Sequence, residues 1–281
     1  MKIKGKYGIP AYIFCLTNSC VPLEMKKRFL KLLYQYLATK NKNGDLLLWN
    51  FGFAGLNPNE KTLSLENSDE KHRYCIQLYH HLASAVNLRG KDVLDVSCGS
   101  GGGSYFIMKY HKPKSMMGID FSEKAVDFCN SYYSMEGLSF SYGDAESLPF
   151  GANTFDIVMN IEASHCYGRM DCFLSEVYRV LRQNGFFLFT DFRRKNQISS
   201  LRKQFSDSGL TFIKEEFITP HVVKAMELDH DRKVRLIHQK TPKILHNTYK
   251  YWWGTKISKR YELFKTREEE YLHYVLQKQN N

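Results

Sequence analysis

The run Val93-Leu94-Asp95-Val96-Ser97-Cys98-Gly99-Ser100-Gly101-Gly102-Gly103 constrains the fold of this 281-residue chain more than any other segment. An apolar stretch suited to one buried strand runs into four glycines within five residues, then into a helical pattern that continues through Lys109. Glycines are needed in such a turn where the backbone takes positive φ or must pass close to a ligand. The dinucleotide version of this turn holds a pyrophosphate at the helix N-terminus. Its G-x-G-x-x-G spacing fits here in neither register: counted from Ser97 the first glycine is missing, and counted from Gly99 the third position is Ser104.

From this turn onward the pattern alternates. Residues 115–119, 138–141, 155–160 and 186–190 read as strands, with helices over 122–133 and 170–181. Such alternation predicts βαβ units and a mostly parallel sheet. Beyond Asp191 the regularity fades: 211–217 and 270–277 read as strands and 219–237 as one helix. Upstream, Met25, Phe29, Leu32, Leu33, Tyr36 and Leu37 share one helix face over residues 22–38, with Lys26, Lys27, Arg28 and Lys31 on the other side. Asn67 or Ser68 is placed to cap a second helix whose Cys75, Leu78, Tyr79, Leu82 and Val86 face inward. No repeat or linker is visible. The expected division is an N-terminal helical or cap segment, 1–66, and a domain over 67–281 with a helical cap inserted at about 219–257.

Two carboxylates follow the glycine turn at strand ends, where ligands collect in open α/β sheets. Asp120 comes 25 residues after Asp95 and can accept hydrogen bonds from both hydroxyls of a ribose. Its plainer role is to cap the helix beginning near Ser122. Asp144, in Gly143-Asp144-Ala145-Glu146, is placed to accept from a purine amino group, with Phe121 and Leu148 flanking the ring.

Charge and cysteine content narrow the setting. Residues 1–70 hold 10 basic against 6 acidic side chains, 71–191 hold 11 against 13, and 192–281 hold 19 against 10. The positive charge therefore sits in the flanks, where it can attract nucleic acid, an anionic membrane or an acidic substrate, or merely be solvated. Seven cysteines with no C-x-x-C pair argue against a disulfide framework and a structural zinc site, so no metal and a cytoplasmic location are expected. Lys2, Lys4 and Lys6 ahead of an apolar run imitate a signal peptide, but Pro10 interrupts it.

The form D-x-x-x-G-x-G-x-G from Asp95 to Gly103, the carboxylates after it, Phe155-Asp156-Ile157-Val158 and Arg179-Val180-Leu181-Arg182-Gln183-Asn184-Gly185 together resemble a class I methyltransferase. Gln183 and Asn184 stand where that family has Pro and the first Gly of R-V-L-x-P-G-G. The resemblance implies a Rossmann-like α/β fold: a mostly parallel seven-stranded sheet with helices on both faces and a helical cap. It implies S-adenosylmethionine as cofactor. The residues assigned to it are Asp95, Ser97, Gly99 and Gly101 in the loop, Asp120 and Phe121, Asp144 and Ala145, Asn160, and Tyr79 from the preceding helix. Tyr79 can touch the methionine carboxylate or simply be a core aromatic, with His80 and His81 on the surface. A narrower resemblance is to the phthiotriolone/phenolphthiodiolone dimycocerosate methyltransferase family, which O-methylates long-chain polyketide lipids. Ser68-Asp69-Glu70, Leu78-Tyr79-His80, Val96-Ser97-Cys98-Gly99, Gly143-Asp144-Ala145-Glu146 and Glu162-Ala163-Ser164-His165-Cys166-Tyr167 carry it, over about residues 45–195. Sterol C-methyltransferases are similar at greater distance.

Glu162 and His165 are the catalytic candidates, since they follow the fourth strand, where an acceptor would meet the methyl group. Methyl transfer from a sulfonium demands chiefly in-line positioning. An alcohol acceptor must also lose its proton, for which histidine is suited. Glu162 can instead orient the loop or bind the methionine ammonium, and His165 can be a packing residue. The expected function is methyl transfer to a hydroxyl of a hydrophobic small molecule, lipid or polyketide-like alcohol. The alternatives are C- or N-methylation of a small molecule, or a nucleic-acid-binding protein or RNA methyltransferase that uses the basic flanks. Nucleic acid is disfavoured as a partner because no aromatic-glycine RNA-binding signature is present. Trp252 and Trp253, with Tyr249 and Tyr251, suit peripheral membrane contact or the lining of an acceptor pocket.

Overall fold

In the computed structural model the described residues are 47–57, 63–240 and 254–279, with single positions 31, 35, 243, 246, 247 and 250. The helix expected over 22–38, apart from Lys31 and Gln35, and the aromatic cluster Tyr249, Tyr251, Trp252 and Trp253 lie outside them.

Seven strands form one sheet: β1 (Asp92–Val96), β2 (Ser115–Asp120), β3 (Leu138–Tyr142), β4 (Phe155–Ile161), β5 (Leu181–Arg194), β6 (Thr211–Phe217) and β7 (Glu269–Gln277). Their order is β3-β2-β1-β4-β5-β7-β6, with β1 to β5 paired in parallel and β7 antiparallel to both its neighbours. The chain reverses its direction of progress between β1 and β4, so the C-terminal ends of these strands flank the crevice where such sheets bind ligands. The helices are α1 (Arg73–Ala83), α2 (Gly102–His111), α3 (Glu123–Tyr132), α4 (Met170–Val180), α5 (Lys195–Asp207), α6 (Thr219–Leu228), α7 (His230–Lys240) and α8 (Lys259–Lys265).

Side chains alternating along each strand divide the core in two. Val93, Ile157, Leu188 and Tyr271 meet Leu78 and Leu82 of α1, Phe106 of α2, Val222 of α6 and Phe264 of α8. Leu94, Val158, Phe187 and Leu272 meet Phe173 and Val177 of α4 and Leu201 and Phe205 of α5 on the other face. Because both faces are covered, β1 reads as a nearly unbroken apolar run, with Val93, Leu94 and Val96 all fully buried. Truncating a fully buried ring such as Phe173 to alanine costs about 3–5 kcal/mol in sites of this kind.

Several elements differ from the reading of the sequence. The second helix is not capped by Asn67 or Ser68: a 3-10 turn, Glu70–His72, precedes α1, and Val86 lies past its end. Helix α5 was not anticipated, because only Leu201 and Phe205 of its thirteen residues are buried and the apolar stripe is thin. The single helix expected over 219–237 is two helices that break at Asp229, whose carboxylate receives both Nε and Nη2 of Arg232 at 2.5 Å. Helix α8, capped by Ser258 Oγ accepting from Tyr261 N, is too short to show a period. Among the described residues no helix is long and apolar enough to cross a membrane.

Candidate active site

The glycine turn lies at the C-terminal end of β1 and takes left-handed backbone at Ser97 (φ 65°), Gly99 (φ 57°) and Gly101 (φ 74°). At Gly101 a β-carbon would stand 2.8 Å from Cys129 Sγ and 2.9 Å from the Phe140 ring, so only glycine fits. Gly99 is different: among the described residues nothing comes nearer to a β-carbon there than Trp49 Cδ1 at 3.9 Å, which leaves a side of the loop open among them. The loop is held from below by Asp95, which is 1% exposed and accepts from Ser104 Oγ of α2 at 2.7 Å. Burial pushes the Asp95 carboxyl up to about 7.

Asp120, ending β2, accepts from Gly99 N at 2.9 Å through one oxygen and from Ser122 N at 2.8 Å through the other. It thus ties the turn to the start of α3, while Ser122, not Asp120, caps that helix through Ala125 N. Each carboxylate oxygen keeps a lone pair for a ribose hydroxyl. Burial raises its pKa, an effect the two backbone donors oppose. Phe121 stacks with Tyr142 at 6.0 Å, and Lys31 Nζ lies 4.6 Å from the Phe121 centroid. After β3, Asp144 accepts from Glu146 N at 3.0 Å, and Ala145 and Leu148 are buried beneath. Glu146 in turn accepts from Gly168 N at 2.7 Å, joining this turn to the segment after β4.

That segment brings the remaining candidates together. Ser97 Oγ and Tyr167 OH are 2.7 Å apart, and Asn160 Nδ2 donates to Tyr167 OH and to Val96 O. Asn160 is fully buried, yet its Oδ1 has no partner among the described residues. Glu162 adopts φ 48° and accepts from Phe51 N at 2.7 Å and, through a short bond, from Tyr271 OH. Burial pushes its carboxyl up to about 7, against the two donors. His165 Nδ1 lies 2.9 Å from Oδ1 of the wholly buried Asp191, which also accepts from Ser164 Oγ at 2.6 Å and pairs with Arg193 at 3.1 Å. Burial alone would raise the Asp191 pKa, but the His165 and Arg193 charges hold it well below the usual carboxylate range. Burial likewise opposes charge on His165, yet the Cys166 sulfur and the Asp191 carboxylate together push it up to about 10. Phe192 packs on the His165 ring at 4.4 Å, and Phe51, Phe264 and Tyr271 extend this aromatic wall.

Tyr79 reaches the same loop from α1. A β-carbon on Gly103 would fall inside the Tyr79 ring, so the two elements touch only because Gly103 has none. Four contributing residues were not anticipated. Asp191 follows the expected end of its strand, and its signal is the one that marked Asp120, a carboxylate at a strand end. Tyr271 stood out only as a strand residue. Trp49 and Phe51 belong to an aperiodic stretch that spans the site, Trp49 Nε1 donating to Ser100 Oγ at 3.0 Å while Phe51 binds Glu162.

The open side at Gly99, the acceptor pair on Asp120 and the unpartnered Asn160 Oδ1 fit a ligand with a hydroxylated ring at one end and an ammonium at the other, as S-adenosylmethionine has. The comparisons agree. The model of a methyltransferase domain family matches residues 87–268. A fatty-acid O-methyltransferase of Mycolicibacterium smegmatis is 34% identical over 256 residues, 91% of this chain and 92% of the relative. A phthiotriol/phenolphthiotriol dimycocerosates methyltransferase of Mycobacterium leprae is 35% identical over 79% of this chain and 81% of its own length. Among solved structures, the cyclase SpnF superposes with a TM-score of 0.67 at 17% identity, covering 90% of this chain and 96% of that one. The geranyl diphosphate C-methyltransferase of Streptomyces coelicolor gives 0.60 at 15% identity over 87% and 98%. The structural matches speak for the fold, and the sequence relatives for the chemistry: the chain belongs to the methyltransferase-domain family and is an S-adenosylmethionine-dependent methyltransferase.

Proposed function

We propose that the enzyme methylates an oxygen atom of a lipid-like acceptor, and that His165 faces that oxygen. The observation that carries this reading is the partly exposed His165 held by the wholly buried Asp191 and set into an aromatic wall, a polar pair at the edge of a greasy surface. Relatives named for fatty acids and for phthiotriol dimycocerosates support an acceptor of this class.

Bound in the crevice, S-adenosylmethionine supplies an electrophilic methyl group on its sulfonium. The chain's part is placement and proton handling. Gly99 and Gly101 let the loop pass close to the methionine end, with Asp95 bracing the loop from beneath and Ser97 fixing its turn through Tyr167. Asp120 accepts from the ribose. Asp144 and the backbone of Ala145 meet the adenine edge, with Phe121 and Leu148 on its faces. Asn160 Oδ1 and Glu162 accept from the methionine ammonium, and Tyr79 closes over the loop at Gly103. Helix α6 contributes Val222 and Met226 to the cluster that holds Phe51 and Phe192, which supports a cap over the acceptor within the segment at about 219–257. For a hydroxyl acceptor, His165 in its neutral form takes the proton. A second reading follows from the charge that Asp191 favours on His165: the imidazolium would pair with a carboxylate acceptor, which has no proton to lose. The basic residues of 192–281 support peripheral contact with an anionic membrane that holds such lipids, on its cytoplasmic side.

Labelled cofactor, supplied with long-chain alcohols, fatty acids, a sterol and RNA in parallel, tests the reading by mass spectrometry of the products. A methyl ether or methyl ester of a lipid is expected. Methyl groups found only on carbon, nitrogen or RNA would overturn it.

A further inference from the structure

On the far side of α1 from the glycine turn, three side chains from three elements converge. Glu216 of β6 and His273 of β7 are register partners across the antiparallel pair, so their side chains leave the same face of the sheet. His81, near the end of α1, meets them there. His273 Nδ1 lies 2.9 Å from His81 Nε2, Glu216 Oε2 lies 3.4 Å from His273 Nδ1, and the third edge, His81 Nε2 to Glu216 Oε2, is 3.5 Å.

Hydrogen bonding leaves this triangle unsatisfied. Two neutral imidazoles share one proton across the 2.9 Å edge, and that proton serves neither long edge. Glu216 Oε2, one corner of the triangle, is buried and receives no hydrogen bond from either imidazole, and His273 is 1% exposed. Lys214 Nζ, 2.8 Å from Glu216 Oε2, is an ion-pair partner for the carboxylate alone and offers nothing to the imidazoles; its side chain is 48% exposed. One cation above the centre of the triangle satisfies all three corners at once. Zinc bonds of about 2.0–2.1 Å in a tetrahedron put neighbouring ligand atoms about 3.3–3.4 Å apart. The three edges bracket that spacing.

We propose that His81, Glu216 and His273 form a binding site for one divalent transition-metal ion of the zinc class. Two imidazoles and one carboxylate favour such an ion over magnesium or calcium, which prefer oxygen ligands. Burial keeps both rings in the neutral, ligating form, His81 pushed down to about 4 and His273 to about 3. Phe53 stacks on the His81 ring at 4.2 Å and fixes its plane. The ion pins α1 to the β6–β7 edge two residues beyond Tyr79, so its expected role is to hold the helix that covers the glycine turn.

The full chain, stripped of metal by a chelator, is titrated with ZnCl2 and, separately, with MgCl2 in a calorimeter and in thermal melts. One Zn2+ per chain should bind and raise Tm, while Mg2+ should do neither. His81→Gln and Glu216→Gln, on different elements, should each weaken Zn2+ at least tenfold. His80→Gln removes one member of the His80–His111 pair, 3.1 Å apart, and should leave it unchanged. Co2+ bound to the unaltered protein gives a readout that needs no variant: intense tetrahedral absorption, bleached by Zn2+, is expected. No saturable Zn2+ binding, an affinity indifferent to His81→Gln and Glu216→Gln, or only the weak spectrum of octahedral Co2+ would each overturn the assignment.

Discussion

Glu162 holds a carboxyl group where ionisation is costly, and this has a consequence for stability. Its folded pKa of about 7 lies above the model-peptide value near 4.5, so the folded state binds the proton more tightly than the unfolded chain. Stability from this group is complete below about pH 4.5 and is lost as pH rises through about 7. Glu162→Gln should remove that slope in the cofactor-free protein, so that melts at pH 8 favour the variant by roughly 1–3 kcal/mol and melts at pH 4.5 show little difference. A wild-type curve as flat as the variant's would mean that Glu162 ionises freely. His165 titrates at the other end of the range. As base for a hydroxyl it must be neutral, so the rate should climb with pH towards about 10, and His165→Gln should lose that limb and about 10²–10⁴-fold in rate. As cationic partner of a carboxylate it gives the opposite: a flat rate near neutrality that falls above about pH 10, with the variant raising KM. A variant that keeps both rate and profile would remove His165 from either role. Asp120→Ala should weaken S-adenosylhomocysteine binding by about 1.5–3 kcal/mol, measured by calorimetry. It should also lower Tm, because Gly99 N and Ser122 N lose their acceptor. A lower Tm with unchanged affinity would leave Asp120 only the tie between β1 and α3.

Between elements, the contact of α1 with the start of α2 is made by one missing side chain. Gly103→Ala puts a methyl group into the Tyr79 ring and should destabilise the fold by about 1–3 kcal/mol while weakening cofactor binding. The added substitution Tyr79→Ala should restore part of the stability, and thermal melts of the cycle read the coupling. Simple additivity would mean that α1 does not pack there as described. The same level shows what sequence patterns could carry. β1 to β4 were legible because strands buried on both faces concentrate apolar residues between turns, and because each ends in a glycine or carboxylate with a chemical reason to be there. α5 and α8 were not, since the buried faces of thirteen- and seven-residue helices supply too few apolar positions to define a period. The stretch 47–54 was invisible for another reason. It has no secondary structure, yet Asn50, Phe51, Phe53 and Ala54 are buried and its backbone bonds go to Tyr74, His221 and Glu162. Position in the fold, not local pattern, gives Trp49 and Phe51 their place at the site.

Over the whole molecule, one sheet collects residues far apart in sequence at one edge. Asp120, Asp95, Asn160 and Asp191 stand at or beside the C-terminal ends of four adjacent strands, β2, β1, β4 and β5. The first three were legible as chemistry in the sequence. Asp191 was not, because its meaning depends on His165, 26 residues away and joined to it only by the pairing of β4 with β5. The +9 charge of residues 192–281 was legible as a number. The central claim is that this edge is a cradle for S-adenosylmethionine, and calorimetry against S-adenosylhomocysteine and NAD tests it most directly. One S-adenosylhomocysteine per chain should bind with micromolar Kd, about −8 kcal/mol, and NAD should give no comparable heat. Tight NAD binding with no response to S-adenosylhomocysteine would contradict the account.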